Sequence, residues 1–139
     1  MVPLPAAPDP APLPLVGRRV PAGFPSPADD YLEGEVDLNR YLIERPAACY
    51  LMRVSGASMS GAGIMDGDLV AVDRGVEAVP SHVVVAVVAG EMTIKRLRRT
   101  RDGRAVLRAE NPDYPAVVVG GGNPAEVWGG VVGCVRKMA

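Results

Sequence analysis

A serine in a glycine-containing turn and a lysine in a strand-like run are the residues of this sequence best suited to chemistry. The turn is Ser55-Gly56-Ala57-Ser58-Met59, and Lys95 follows Ser58 by 37 residues within Glu91-Met92-Thr93-Ile94-Lys95-Arg96-Leu97. A serine hydroxyl becomes a nucleophile when a nearby base takes its proton, and a lysine amine can be that base only where its surroundings keep it neutral. The pair predicts a Ser/Lys dyad, in which the single histidine, His82, need not take part.

A small-residue junction upstream offers a substrate for this dyad. The stretch Val20-Pro21-Ala22-Gly23-Phe24-Pro25-Ser26-Pro27 is typical of an exposed peptide, with the junction at Ala22-Gly23. Each element alone has a simpler interpretation, since a serine in such a turn usually serves backbone geometry and a lysine on a strand is usually solvated. A nucleophile, a base and a candidate substrate on one chain together favour self-cleavage.

Three ordered motifs resemble the self-cleaving LexA, UmuD and phage-repressor peptidase family. They are Arg53-Val54-Ser55-Gly56-Ala57-Ser58-Met59, then Asp66-Gly67-Asp68-Leu69-Val70, then Thr93-Ile94-Lys95-Arg96-Leu97. Residues 23–31 and 36–39 are similar to the UmuD branch of that family. The resemblance implies an all-β fold, a compact peptidase domain of curled antiparallel sheets with an extended N-terminal arm and one short helix.

The resemblance also implies roles for individual residues. Ser58 would be the nucleophile and Lys95 the base, and the backbone amides of Ala57 and Ser58 would form the oxyanion hole. The bond cut would be Ala22-Gly23, with Val20 filling a second apolar pocket. The sequence departs from the UmuD pattern at Ser81-His82, where relatives carry Gly-Asp, and Pro21 removes a backbone donor next to the predicted cleavage site.

The partners implied by the resemblance belong to the SOS response to DNA damage. They are a second copy of the chain in a homodimer, a RecA filament on single-stranded DNA that stimulates self-cleavage, and a Y-family polymerase resembling UmuC. The shortened chain would serve that polymerase in error-prone translesion synthesis. One alternative is a non-catalytic β-fold adaptor that only contacts a polymerase or filament, and another is a protease acting on other proteins. Whether cleavage occurs in cis or in trans stays open.

The composition and charge argue against several other classes of protein. The chain of 139 residues is 48% hydrophobic and carries 15 basic and 16 acidic residues, so its bulk charge argues against direct sequence-specific DNA binding. The longest apolar run, 83–89, is far too short to cross a bilayer, and we expect a cytoplasmic protein without a membrane segment. Asp66 and Asp68 suit a turn better than a metal site, and we expect no metal and no other cofactor.

The chain divides into three predicted segments. Residues 1–27 hold nine of the 14 prolines and form the arm that contains the cleavage site. Residues 28–49 connect this arm to the β-rich peptidase domain, which spans 50–139. A helix is predicted over 37–45, with Asp37 as its cap and Pro46 beyond its end. Apolar runs between turn residues predict strands at 50–54, 68–73, 83–89, 92–99, 104–109, 116–119 and 127–135.

The predicted strands suggest how the base and the core are placed. Alternation puts Lys95 on the same face as Thr93 and Leu97, away from Arg96 and Arg98, which allows the burial that a neutral lysine needs. Neutralising half of a lysine near pH 7.4 requires a pKa lowered by about three units, or about 4 kcal/mol.

The run 83–89 is apolar on both faces and predicts a core strand, with a share in a dimer interface as the alternative. The two cysteines, Cys49 and Cys134, are predicted to be reduced core residues.

Overall fold

Short apolar runs separated by glycine-rich turns give the chain a fold dominated by antiparallel strands, as predicted. The computed structural model describes residues 12–17, 19–25, 32–119 and 124–139. Two compact units are present, Met1–Glu44 and Arg45–Ala139. Within the described ranges, no helix has the length and apolar character required to span a membrane.

The described part of the first unit contains an antiparallel strand pair and one short α-helix. Strands β1 (Leu13–Val16) and β2 (Leu32–Val36) pair antiparallel, and helix α1 spans Leu38–Leu42. As predicted, the side chain of Asp37 caps the helix, accepting hydrogen bonds from the amides of Asn39 at 3.0 Å and Arg40 at 3.4 Å. The helix ends earlier than predicted because Ile43 already has extended backbone angles.

The second unit is one seven-stranded antiparallel sheet. Its strands are β3 (Cys49–Arg53), β4 (Leu69–Asp73), β5 (Val83–Val88), β6 (Glu91–Arg99), β7 (Ala105–Arg108), β8 (Val117–Val118) and β9 (Ala125–Val135). Their order across the sheet is β3-β4-β9-β5-β6-β7-β8. Every predicted strand is present, with ends that differ by at most two residues.

Strand β5 lies in the middle of this sheet and is buried on both faces. Val84 and Ala86 pack with Leu107 on one face, while Val85 packs with Met59 on the other. Burial on both faces accounts for the continuous apolar run of β5, as parallel or sandwiched core strands require. The core interpretation of 83–89 therefore explains its composition without a partner chain.

The two cysteines are free, but the expectation that both lie in the core is wrong. Cys134 is exposed and Cys49 is only half-buried. Cys134 lies near the end of the long strand β9, next to the Asp68 carboxylate, with Sγ and Oδ2 3.5 Å apart. Although the residue as a whole is exposed, partial desolvation of its sulfur, aided by that carboxylate, raises the pKa of the Cys134 thiol.

Asp68 is a buried carboxylate that joins the loop before β4 to the end of β9. Its side chain is 1% exposed and accepts hydrogen bonds from Arg136 Nε at 2.7 Å, Arg136 Nη2 at 2.8 Å and the amide of Met65 at 2.8 Å. Arg136 also donates to the carbonyl of Gly63 at 2.9 Å. The Arg136 guanidinium holds the pKa of Asp68 well below its usual range, because the paired geometry favours the charged carboxylate.

We predict that Asp68→Asn destabilises the fold at neutral pH and that the loss of stability is smaller in acid. A depressed folded pKa gives stability that is fully present above the ordinary value of 3.8 and is lost progressively as the pH falls from there towards the much lower folded pKa. Urea unfolding at pH 7 and pH 2.5 measures this directly. The matched control is Asp66→Asn, whose carboxylate is exposed and contacts no arginine in the described residues. Equal midpoints for Asp68→Asn and the wild type at pH 7 would contradict the prediction.

Ser81 occupies a backbone conformation that favours glycine. Its φ is +84°, and its amide donates to Leu97 O at 2.7 Å while the Leu97 amide donates to His82 O at 2.8 Å. Two residues thus oppose Leu97, which is a β-bulge with its first residue left-handed. The Gly-Asp of UmuD relatives at this position has a physical explanation, since glycine reaches that φ without strain. His82 is exposed beside this bulge.

We predict that Ser81→Gly stabilises the protein by about 0.5–1 kcal/mol. The relief of left-handed strain exceeds the extra entropy that glycine gains in the unfolded chain. Thermal and urea unfolding measure the difference. Ser60→Gly is the control. Ser60 lies in a 3-10 helix, where glycine only adds entropy to the unfolded chain, so this variant should be less stable than the wild type by about the same amount. A lower melting temperature for Ser81→Gly would refute the prediction.

Candidate active site

The loop that carries Ser58 is held by contacts on three sides. Gly56, with φ of +93°, turns the chain, and its amide donates to Asp66 Oδ1 at 2.8 Å. Asn111 Nδ2 donates to the carbonyl of Ala57 at 2.9 Å. Met59, the next residue after Ser58, is 1% exposed and anchors the loop in the core. Ser58 itself is half-buried, so its hydroxyl stays accessible on a fixed backbone.

Close backbone packing holds the other end of the loop. The amide of Gly61 donates to Glu110 O at 2.8 Å, and a Cβ added at Gly61 would lie 2.4 Å from that oxygen. Only glycine permits this approach without a backbone shift. The segment after β7 therefore fixes the position of the loop.

Strand β6 brings Lys95 to Ser58. The Nζ of Lys95 lies 3.3 Å from Ser58 Oγ, 2.7 Å from Thr93 Oγ1 and 3.1 Å from Ile94 O. Lys95 is 9% exposed, and its partner directly across the sheet, Val84, is fully buried. The predicted alternation is thus observed, with Lys95 on the side of Thr93 in an apolar setting.

The surroundings of the Lys95 amine shift it towards its neutral form. Burial lowers the pKa of Lys95, and no carboxylate pairs with it in the part of the chain that the structure describes. A neutral amine has two N–H groups and one lone pair. Thr93 Oγ1 and Ile94 O can take the two N–H groups, which leaves the lone pair for the Ser58 hydroxyl proton. The three contacts therefore match the form of lysine that can act as a base.

The backbone near Ser58 offers donors for a developing negative charge. The amides of Ala57 and Ser58 donate to no acceptor among the described residues. Free N–H groups beside a nucleophile are what an oxyanion hole requires. Both amides are therefore available for the role predicted from the sequence.

An apolar groove lies beside the nucleophile. Its volume is about 200 Å³, and Ser58 and Thr93 border it. The aliphatic and thioether side chains in its lining are Met52, Val54, Val70, Val85, Met92 and Ile94. Arg53 and Ser55 complete the lining at the exposed side, and the apolar part of the groove suits small aliphatic side chains.

The residues of the predicted cleavage site lie in the first unit, on the segment after β1. Val20 and Phe24 are exposed, at 90% and 91%, and a Cβ added at Gly23 would contact nothing within 4 Å. Ala22 and Gly23 lie in a bend. These residues are thus accessible in their own unit, and cleavage between Ala22 and Gly23 stays a prediction.

Sequence reasoning missed the residues that support the loop. The local sequence marks Asn111, which precedes Pro112, and Asp66, which precedes Gly67, only as turn residues. Asn111 lies 54 residues from the carbonyl that it holds, so no local pattern marks the contact. A signal existed for Gly61, since glycine within a Ser-Gly-Ala-Gly run indicates either a turn or a close backbone approach.

Comparison with known proteins agrees with this geometry. The sequence matches the Peptidase S24-like family over residues 14–132, which is most of the chain. The chain belongs to the Peptidase S24-like family. This membership confirms the predicted resemblance to the LexA/UmuD peptidase family.

The most similar relatives include three short proteins of this Peptidase S24-like family and a repressor. Protein SamA of Salmonella typhimurium is 46% identical over 75% of this chain and 73% of its own length. Protein MucA of Escherichia coli is 40% identical over 84% of this chain and 80% of its own. Protein ImpA of Escherichia coli is 52% identical over 60% of this chain, and the match spans 58% of its own length. The LexA repressor of Verminephrobacter eiseniae is 43% identical over 90% of this chain and 54% of its own.

We predict that Lys95→Met stabilises the protein at neutral pH and that the gain shrinks as the pH rises. The folded pKa of Lys95 is lower than its ordinary 10.5, so the unfolded chain binds more protons between the two values and wild-type stability rises with pH there. Methionine has nearly the same length and no charge to bury. Urea unfolding of both proteins at pH 6, 8 and 10 measures the difference. A pH-independent difference, or a less stable variant at pH 6, would contradict the prediction.

Proposed function

We propose that this protein is a self-cleaving serine peptidase that cuts its own Ala22-Gly23 bond. The observation that carries the proposal is the 3.3 Å contact between Lys95 Nζ and Ser58 Oγ, in a site where burial lowers the pKa of the amine. Family membership supports the peptidase class. The substrate assignment rests on the small-residue junction of the exposed segment and on the apolar groove beside Ser58.

The reaction would proceed through an acyl-enzyme. Ser58 Oγ attacks the carbonyl carbon of Ala22 while Lys95 Nζ takes the hydroxyl proton. The amides of Ala57 and Ser58 stabilise the oxyanion. As the C–N bond breaks, Lys95 returns the proton to the nitrogen of Gly23. Lys95 then activates a water molecule that hydrolyses the ester and releases the fragment ending at Ala22.

The groove explains the proposed choice of bond. Alanine before the cut needs only a shallow apolar pocket, and the aliphatic Val20, two residues earlier, suits the remaining apolar surface. Thr93 holds the Lys95 amine in line with Ser58, because its hydroxyl lies 2.7 Å from Nζ. Gly23 adds no side chain that would hinder approach to the nucleophile.

The biological setting that we propose is the SOS response. Resemblance to the UmuD branch supports a homodimer that binds a RecA filament on single-stranded DNA, cleaves itself, and then serves a UmuC-like Y-family polymerase in translesion synthesis. Loss of the arm would act as the switch between the two forms. Among the relatives, SamA and MucA match over most of their own lengths, which supports a common architecture.

We predict that purified protein produces a fragment beginning at Gly23, and that the rate rises with pH and levels off below 10.5. Below the pKa of Lys95 the neutral fraction increases about tenfold per pH unit, and above it the fraction is constant. The lowered pKa of Lys95 puts the plateau at a lower pH than an ordinary lysine would. Intact mass spectrometry after incubation from pH 6 to 11, with and without an activated RecA filament, gives the rate.

Matched variants test whether the dyad itself makes the cut. Ser58→Ala and Lys95→Met should abolish the product, whereas Ser60→Ala, in the same loop, should leave it unchanged. The chain has two further Ala-Gly bonds, at Ala62-Gly63 and Ala89-Gly90, and both lie in the second unit, which contains the seven-stranded sheet. Fragments beginning at Gly63 or Gly90 would refute the substrate assignment. If the wild type stays whole even with the filament, the non-catalytic adaptor becomes the better interpretation.

A further inference from the structure

The arginines of this chain are concentrated on one hairpin. Residues 96–108 contain six arginines and one aspartate, a net charge of +5, so that the remainder of the chain carries −6. The near-neutral total therefore conceals two regions of opposite charge. Strands β6 and β7 and their connecting turn form this hairpin.

Four of these arginines form what we call the arginine patch. Arg96, Arg98 and Arg108 share the face of β6 and β7 opposite to Lys95, and Arg104 directly precedes β7. Arg98 and Arg104 are 50% and 64% exposed, and Arg108 is exposed as well. From Arg104 to Arg108 the row extends for about 13 Å along the strand.

The described residues around the patch neutralise it only in part, with two carboxylates for four guanidinium groups. Arg96 and Arg98 share a single carboxylate, that of Glu110, and Arg104 pairs with Asp102 at 3.0 Å. Arg108 on β7 lies directly opposite Arg96 on the neighbouring strand β6 and forms no ion pair with a described carboxylate. Like charges placed opposite each other reduce stability. The arrangement therefore has a cost in folding that an anionic ligand would offset.

A groove continues from the patch at Arg108. Its volume is about 510 Å³, and its lining includes Arg108, Asn111 and Tyr114. Tyr114 is 42% exposed. A guanidinium beside an accessible aromatic ring suits a nucleotide, because the first binds a phosphate and the second stacks on a base. An acidic peptide would use the charge but has no need of the ring.

We propose that the arginine patch and the Tyr114 groove bind single-stranded DNA without sequence preference. The arginines would contact successive phosphates, and an unstacked base would lie against Tyr114. Paired bases in a duplex are not available for such stacking, so a single strand fits this surface better. The patch arginines and Tyr114 take no part in the Ser58 and Lys95 chemistry, although Asn111 borders both the groove and the Ser58 loop. The proposed binding does not depend on self-cleavage.

The test is fluorescence anisotropy of a labelled oligothymidylate with the full-length chain at 50 and 200 mM salt. The double variant Arg98→Glu/Arg104→Glu should bind at least about tenfold more weakly, and the slope of log K against log salt should fall by about 1.4 for the two lost phosphate contacts. Tyr114→Ala should weaken oligothymidylate but not an abasic oligonucleotide of equal length. Arg19→Glu/Arg40→Glu makes the same charge change in the first unit and should bind as the wild type does.

Each outcome decides the proposal. Circular dichroism and thermal unfolding identify a variant that has lost its fold, and Arg98→Gln/Arg104→Gln then replaces it. Three results would overturn the proposal. The wild type binds no oligothymidylate, the Arg19→Glu/Arg40→Glu control loses as much affinity as the patch variant, or Tyr114→Ala loses affinity for oligothymidylate and for the abasic oligonucleotide equally. Polyglutamate that competes as well as oligothymidylate would also overturn it, in favour of an acidic protein partner.

Discussion

The burial of the Lys95 amine, with no carboxylate partner among the described residues, is the constraint on which the structure of the site depends. A paired lysine would keep its charge and could not accept the Ser58 proton. The protein instead surrounds Lys95 with apolar neighbours, including the fully buried Val84 across the sheet, and supplies neutral oxygens from Thr93 and Ile94. These oxygens satisfy the N–H groups without stabilising a positive charge as strongly as a carboxylate would.

Such a base is useful only if the nucleophile is equally well fixed. The loop of Ser58 is irregular, and irregular backbone is normally the more mobile part of a protein. Here Asp66, Asn111 and Glu110 hold it by hydrogen bonds to backbone groups on either side of the serine. Met59 adds a buried anchor. The sheet therefore positions both halves of the dyad, the lysine directly and the serine through contacts from neighbouring segments.

The elements that could be predicted from the sequence are those with a local signal. Alternation gave the face of Lys95, and turn residues bounded each strand of the large sheet to within two positions. The pairing of β1 with β2 was not predicted, because the many prolines of that region favour unpaired extended chain. The contact of Asn111 with Ala57 and the exposure of Cys134 depend on tertiary arrangement, which no local pattern encodes.

Strand β6 shows how one local rule can serve two separate purposes. Because successive side chains point to opposite faces, the same alternation that turns Lys95 and Leu97 inward turns Arg96 and Arg98 outward. Burial on the first face lowers the pKa of the Lys95 amine, and the second face carries charged side chains that the core cannot hold. The net charge of the whole chain does not reveal such a strand, because acidic residues elsewhere in the chain cancel the positive charge of β6. The position of each charge relative to the sheet carries the information that composition loses.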